Sequence, residues 1–437
     1  MPALRLSNVV LSDAQGRETL RLPQVDAALS PQSLFAFKLI FAQLHLSGAE
    51  LEVRRDTLGR LHVGGLQMDA AAQAAVPENS AADWFFQQRE FVIRHATVRW
   101  VDEKRMAPPL ELTDADLVVR NGLREHEIRL DGTPPAEWGQ RFSLRGRFSQ
   151  PLFSRAGDWR RWSGTVYADL PLADVASLRR YVNLPFDLRE GNGALRLWLD
   201  MSRGRWHQMA LDVALDEVQM RLAPTLAPLG LSEVVGRLTA ARSDKGVEAA
   251  AERLRFTTAE GEHWPDGRVA LFLDQAQTLQ DDWLSTEPVT GGRLEADRLD
   301  VALLARLATR LPLPADVRQG LVDTEPEGRI EGLRLSWQGH PEAPAHYRLQ
   351  AKGAGLSIAA RAAPGGGSVG RPGWRQADVE LDATETGGEA KLSMHNGQLI
   401  FPGVFEEPVV PLQRFTTRLV WTLKPGLAQA TAAPASS

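Results

Sequence analysis

The stretch that most resembles a reactive motif is GGGSVG at residues 365–370. Gly366, Ser368 and Gly370 match G-x-S-x-G, and Gly365, Gly367 and Gly370 match G-x-G-x-x-G. Both patterns work only where a strand turns sharply into a helix, presenting a serine or phosphate-facing amides. Here Arg371-Pro372-Gly373 follows, from which no helix starts cleanly, so a Gly-rich loop is the plainer reading. A hydrolase using Ser368 is the enzyme reading weighed for that stretch. Histidines stand singly at His45, His62, His95, His126, His207, His263, His340, His346 and His395. His340 and His346 alone come near each other, with Pro341 and Pro344 between them, and no His-x-x-x-His helix exists. Asp102–Glu103, Asp281–Asp282 and Glu406–Glu407 are adjacent carboxylates. Neighbours along a strand point to opposite faces, so these are turn charges rather than a catalytic dyad. Expected catalytic residues, metal ligands and cofactors are therefore none.

Composition narrows the classes further. With 50 Lys and Arg against 55 Asp and Glu, the net charge is −5. Phosphate contacts need a clustered cationic excess, so Arg160–Arg161 and Arg179–Arg180, although tryptophans lie near them, do not make a nucleic-acid binder. The absence of cysteine removes disulfides, thiolate metal sites and a Cys nucleophile. No run approaches the roughly 18 apolar residues a membrane helix needs. The longest candidate, residues 34–46, is cut by Lys38, Gln43 and His45, and the N-terminus shows no signal-peptide pattern.

The elements that would have to position any site are strands. Period-two alternation appears in ETLRLPQVDAAL, AQLHLSG, AELEVRR, REHEIRL, RFSLRGRF and ALRLWLD. It continues in MALDVALDEVQMRL, RVALFLD, LRLSWQG, AKLSMHNGQLIF and FTTRLVWTL. Roughly twenty such segments, joined by short polar turns, predict a long antiparallel meander. Helical signals are few. Ser80–Asp83 caps a start before Trp84, Phe85 and Phe86; Val175, Leu178 and Val182 share a face; Val301, Leu304, Ala308 and Leu311 share another before Pro312.

Three short helices cannot cover the apolar faces of so many strands. A second sheet, a sheet curled on itself, or a bound apolar ligand must do so. At about 4.8 Å per strand, twenty strands extend on the order of 100 Å, and sheets that long curl or split. A curled sheet with its apolar face inward makes a trough in which acyl chains replace water. Its lining residues would be Leu44, Leu46, Leu51, Val53, Ile128, Leu130, Leu195, Leu197, Leu211, Val213, Leu335, Trp337, Leu392, Met394, Leu419 and Trp421. Alternation gives their face but leaves open whether that face meets lipid or an ordinary protein core.

The order of landmarks carries a resemblance. LHLSGAELEVRRDTLGRLHVGGL precedes DWFFQQREFVIRHATVRWVDEKR and APPLELTDADLVVRNG; WSGTVYADLPLADVASLRRYVNLPFDLREGNGALRLWLD and GEHWPDG follow, and GGEAKLSMHNGQLIFPGVFEEPVVPLQRFTTRLVW closes the chain. Over about residues 3–424 it resembles the central region of the YhdP family, AsmA-like envelope proteins of Gram-negative bacteria. The resemblance implies a mainly β fold: a long curled antiparallel sheet forming an elongated open apolar groove, with a few short helices. It implies a non-enzymatic role in moving phospholipid between inner and outer membranes, and a periplasmic location with an inner-membrane anchor. That anchor helix and a C-terminal AsmA-like portion are not in this sequence, so a fragment or truncated product is expected. One elongated groove region is expected over residues 1–424, with loops at 72–80 and 361–372 and a disordered tail at 425–437. Envelope protein partners are possible on this reading, and nucleic acid is not expected. The alternative is a structural or scaffolding envelope protein with a closed β-core.

Overall fold

A computed structural model describes the chain apart from residues 1–2, 13–17, 32, 34–39, 65, 68–80, 183, 185, 276–288, 342, 364–368, 425–426 and 433–437. The expected loop at 72–80, Asp281–Asp282 and Ser368 with Gly365, Gly366 and Gly367 thus lie outside the described residues. The protein is mainly β, with 67 % of its residues in strands and a few short helices. It divides into two compact units, one of residues 1–184 and 190–215, the other of residues 185–189 and 216–437.

The first unit contains β1 (Ala3–Ser12), β2 (Glu18–Leu29), β3 (Phe41–Ser47), β4 (Glu50–Arg55), β5 (Leu61–Val63), β6 (Leu66–Gln67), helix α1 (Ala81–Gln87), β7 (Glu90–Asp102), β8 (Leu110–Asn121), β9 (Glu125–Thr133), β10 (Phe142–Ser149) and β11 (Ser163–Asp174). The one-turn helix α2 (Val175–Leu178) follows, and most of β12 (Asp187–Ser202) and β13 (Arg205–Arg221) belongs here too. From β7 to β12 each strand pairs antiparallel with the next. The expected all-antiparallel sheet is corrected at one place. β3 and β4 run parallel to β7, with Leu46 opposite Ile93 and Leu51 opposite Val98. The physical reason is the connection: the chain between β4 and β7 carries α1, and only a crossover of that kind can bring a strand back in the same direction.

That helix also closes a core. Phe85 and Phe86 of α1 pack on a cluster made of Leu22, Val25, Leu44, Leu46, Leu51, Phe91, Ile93 and Val119. Phe85 meets Phe91 edge-on at 4.8 Å between ring centroids.

The second unit contains β14 (Leu229–Ser243), β15 (Gly246–Thr258), β16 (His263–Gln275), β17 (Val289–Asp300), α3 (Val301–Leu307), α4 (Ala315–Thr324), β18 (Glu327–His340), β19 (Ala343–Ile358), β20 (Gly373–Thr384), β21 (Gly387–Ile400), β22 (Val409–Lys424) and β23 (Leu427–Ala432). Every consecutive pair from β14 to β23 is antiparallel. Strand β23 falls within the segment expected as a tail. Among the described residues β1 pairs only with β2 and β23 only with β22, so edges stay free and no barrel closes.

Strands end in helices where an aspartate stops the ladder. Asp174 accepts from the amides of Ala176 and Ser177 at the start of α2, and Asp300 accepts from Leu303 N at 2.8 Å at the start of α3. Bulges bend the strands in between. His95, Asp114, Arg253, Gln376 and Asn396 have left-handed backbones in mid-strand. The register slips where they occur, as between Ile93 and Ala96 or Arg375 and Ala377. Each such bulge bends its strand and raises the local twist.

Candidate functional site

Directly opposed residues of neighbouring strands share a face, so the register turns alternation along strands into rows across them. In the first unit one row reads Leu6, Val25, Leu46, Ile93, Leu117, Leu130, Leu144, Ala168, Leu197. Two residues along lies a second: Leu4, Ala27, Leu44, Phe91, Val119, Ile128, Gly146, Val166, Leu199. The gap at Gly146 is occupied by the Phe148 ring, which lies where a Cβ would stand. Neither row contains a polar side chain.

The second unit repeats the arrangement. Ala240, Ala249, Leu271, Leu294, Leu335, Leu349, Ala383, Gly388 and Trp421 form one uninterrupted row from β14 to β22. Trp421 lays its indole over Gly388, and in the adjoining row Trp337 lies over Gly292. Leu419 opposes Ala390, Leu392 opposes Val379, and Met394 opposes Ala377 in successive rows.

The residues singled out from sequence therefore separate by environment. Leu44, Leu46 and Leu51 sit in the buried cluster under α1. Ile128 packs against its margin, half-buried, and Val53, opposite Trp100, is half-buried. Leu130, Leu195 and Leu197 are half-buried, away from that cluster; Leu195 opposes Leu170. On β13, Leu211 is half-buried and Val213 buried. In the second unit Leu335, Trp337, Leu392 and Trp421 are half-buried, Leu419 is exposed, and Met394 is almost wholly enclosed at 1 % exposure. The lining set drawn from sequence leaves out row members such as Leu144 and Leu271. They lie in alternating segments already recognised (RFSLRGRF, RVALFLD), and the same signal finds them.

Polar chemistry is sparse on these faces. His126 is buried, stacked on Trp162 with centroids 3.9 Å apart, its Nδ1 2.7 Å from Asn121 Oδ1 and its Nε2 3.1 Å from Gln150 Oε1. Burial pushes its pKa down, only partly opposed by Gln150, so the ring is a neutral packing element. In the turn after β4, Asp56 accepts from the amides of Leu58 and Arg60 and from the Arg60 guanidinium. Desolvation pushes its pKa up, but these hydrogen bonds outweigh it and hold the carboxyl well below the usual range. Asp102 is buried and its amide-accepting oxygen fixes the turn to Arg105, a structural task. Among the described residues no group of three or more His, Asp or Glu is placed to hold a metal ion. No described helix is long and apolar enough to cross a membrane.

Comparison with known protein families gives a match. The profile of the family described as "YhdP protein" covers residues 1–429. No curated protein matches the chain, and no solved structure does.

Proposed function

The chain belongs to the YhdP family, and from that premise we propose that it is a non-enzymatic segment of an envelope lipid-transport protein. Its apolar strand faces hold phospholipid acyl chains in the periplasm, between inner and outer membrane. The observation that carries the reading is the row in the second unit. Leu271, Leu294, Leu335, Leu349 and Trp421 are aligned on five strands, and none of them is buried. In a dry sandwich core such side chains would be enclosed. Half-buried, they keep apolar surface that an acyl chain can cover at about 0.8 kcal/mol per methylene. Because one leucine-lined position is chemically like the next, a chain held in this way slides without a large barrier. Leu44, Leu46 and Leu51 support the strands from the α1-covered core rather than meet lipid.

A photocrosslinking amino acid tests the reading in cells. Placed at Leu335 or Leu197, it should yield phospholipid adducts identifiable by mass spectrometry. Placed at Arg334, one residue along from Leu335 on the opposite face and in the other unit from the arginine-lined cavity described below, it should not. Adducts only from Arg334, or from none of these positions, would overturn the proposal.

A further inference from the structure

The opposite face of the first unit carries a second, differently made feature. A cavity of about 590 Å³ opens there, lined by Arg94, Arg120, Arg129, Arg145 and Arg147, with the carboxylates Glu127 and Asp200. Tyr167 and Trp198 form one wall, their ring centroids 5.4 Å apart. The register explains why the cations meet: Arg145 of β10 stands directly opposite Arg129 of β9 and Tyr167 of β11, and Tyr167 stands opposite Trp198 of β12. Like charges directly opposed across a ladder are destabilising, so this pair needs a reason.

Most of the cations are engaged on one edge. Arg129 Nε donates to Asp131 at 2.7 Å, Arg120 Nε to Glu90 at 3.2 Å, and Arg147 pairs with Glu127 at 3.0 Å. Arg94 lies 3.7 Å from Asp116. Arg145 has no hydrogen-bond or ion-pair partner for its side chain among the described residues, and Asp200 stands opposite Thr165. The lining holds five guanidinium groups and two carboxylates; Asp131, Glu90 and Asp116 answer Arg129, Arg120 and Arg94 from outside it, so Arg145 is the cation left without a partner among the described residues. Each guanidinium presents a planar fork of donors, of which one ion pair uses a part.

We propose that this cavity is an anion site that takes a phosphate group, with Arg145 as the central ligand, Arg129 and Arg147 beside it, and Tyr167 and Trp198 packing on the carbon skeleton of the phosphate ester. It lies on the polar face and is independent of the acyl-chain reading. The same chemistry suits a phospholipid headgroup or a soluble phosphate ester.

Calorimetry on the whole chain separates these cases, with inorganic pyrophosphate as one probe and phosphatidylglycerol vesicles, against phosphatidylcholine vesicles, as the other. Saturable binding of at least one anionic probe is expected, weakening as salt rises. Pyrophosphate alone binding identifies a soluble ester; phosphatidylglycerol vesicles binding in preference to phosphatidylcholine identifies a headgroup. Arg145→Gln should weaken that binding about tenfold or more, as loss of a charged hydrogen-bond partner does. Arg418→Gln, the same charge change in the second unit, should leave it unchanged. Arg145 is exposed, so Arg145→Gln should keep the wild-type circular dichroism spectrum, and Trp198→Ala serves as a second variant on the opposite wall. Binding of neither probe, or equal binding by wild type and Arg145→Gln, overturns the proposal.

Discussion

At the scale of the residue, the apolar faces depend on glycines that leave room for an aromatic neighbour. A Cβ at Gly292 would stand 2.5 Å from the Trp337 ring and 2.5 Å from Phe272 O. A Cβ at Gly388 would meet Trp421 at 2.5 Å and Asp382 O at 2.7 Å. Backbone cannot give way as a side-chain tip can, so Gly292→Val should destabilise the second unit by about 1–3 kcal/mol, the usual cost of overpacking. Gly320 is the contrast: it is inside α4, with nothing within 4 Å of where a Cβ would stand. Gly320→Ala should therefore stabilise by about 0.5–1 kcal/mol through helix propensity. Urea midpoints of the two variants, moving in opposite directions, check both. Trp337 and Trp421 were legible in the sequence because alternation put them on the apolar face. Their glycine partners were not, since Gly292 and Gly388 are distant in sequence from the ring each accommodates, and only the strand register brings them together.

Elements show a different division. The strands were readable because a half-buried strand must alternate, and β18 does so residue by residue from Ile330 with only a break at Gly332. Helix α1 was readable from its start signal and its aromatic run, yet its consequence, the parallel return of β7, was not, because pairing direction leaves no mark in a single segment. Helix α3 is shorter than its periodicity suggests and buries Val301, Leu303 and Leu307 rather than Leu304 and Leu311. Helix α4, starting after Pro314 with no buried residue, carries too weak an apolar stripe to be read. The bulges divide by chemistry. Asn8, His95, Asp114 and Asn396 belong to residue types enriched in the left-handed region, whereas Arg253 and Gln376 carry no such signal. The left-handed backbone costs a non-glycine residue about 1–2 kcal/mol, and more for a β-branched one. Gln376→Gly should then raise stability by up to about 1 kcal/mol, after the entropy glycine adds to the unfolded chain, while Gln376→Val should lower it. Thermal melts of the pair give the sign; a destabilising glycine would mean that the Gln376 side chain, not the backbone, holds the bulge.

For the molecule as a whole, the decisive distinction is between what stabilises it at neutral pH and what the apolar faces do. The apolar rows have no titratable member, so proton-dependent stability must come from the polar faces and turns. There the carboxylates lean one way: Asp26, Asp56, Glu90, Asp114, Asp131, Glu260, Asp323, Glu380, Asp382 and Glu385 all titrate below their ordinary values. Glu385 is lowered from 4.5 to about 2, held by hydrogen bonds from His346 and then from the Tyr347 amide. A carboxyl whose folded pKa is depressed binds fewer protons folded than unfolded, so stability rises with pH across that interval. Its contribution is complete above the unfolded value and is lost as pH falls through the folded one. Neutral, buried His126 acts in the same direction from a higher starting point, because the unfolded imidazole takes its proton first, near its ordinary 6.5. Each exposed pair is worth little alone, but their signs agree. The urea midpoint should accordingly hold nearly constant from pH 8 to 7, slip slightly below 6.5 as unfolded His126 protonates, and fall steeply between about pH 4.5 and 2. Glu385→Gln should reduce the steep part without altering the slight one, and His126→Gln should do the reverse. A midpoint that stayed level down to pH 3, or rose on acidification, would show that these ion pairs do not govern stability and that the apolar faces carry it unaided.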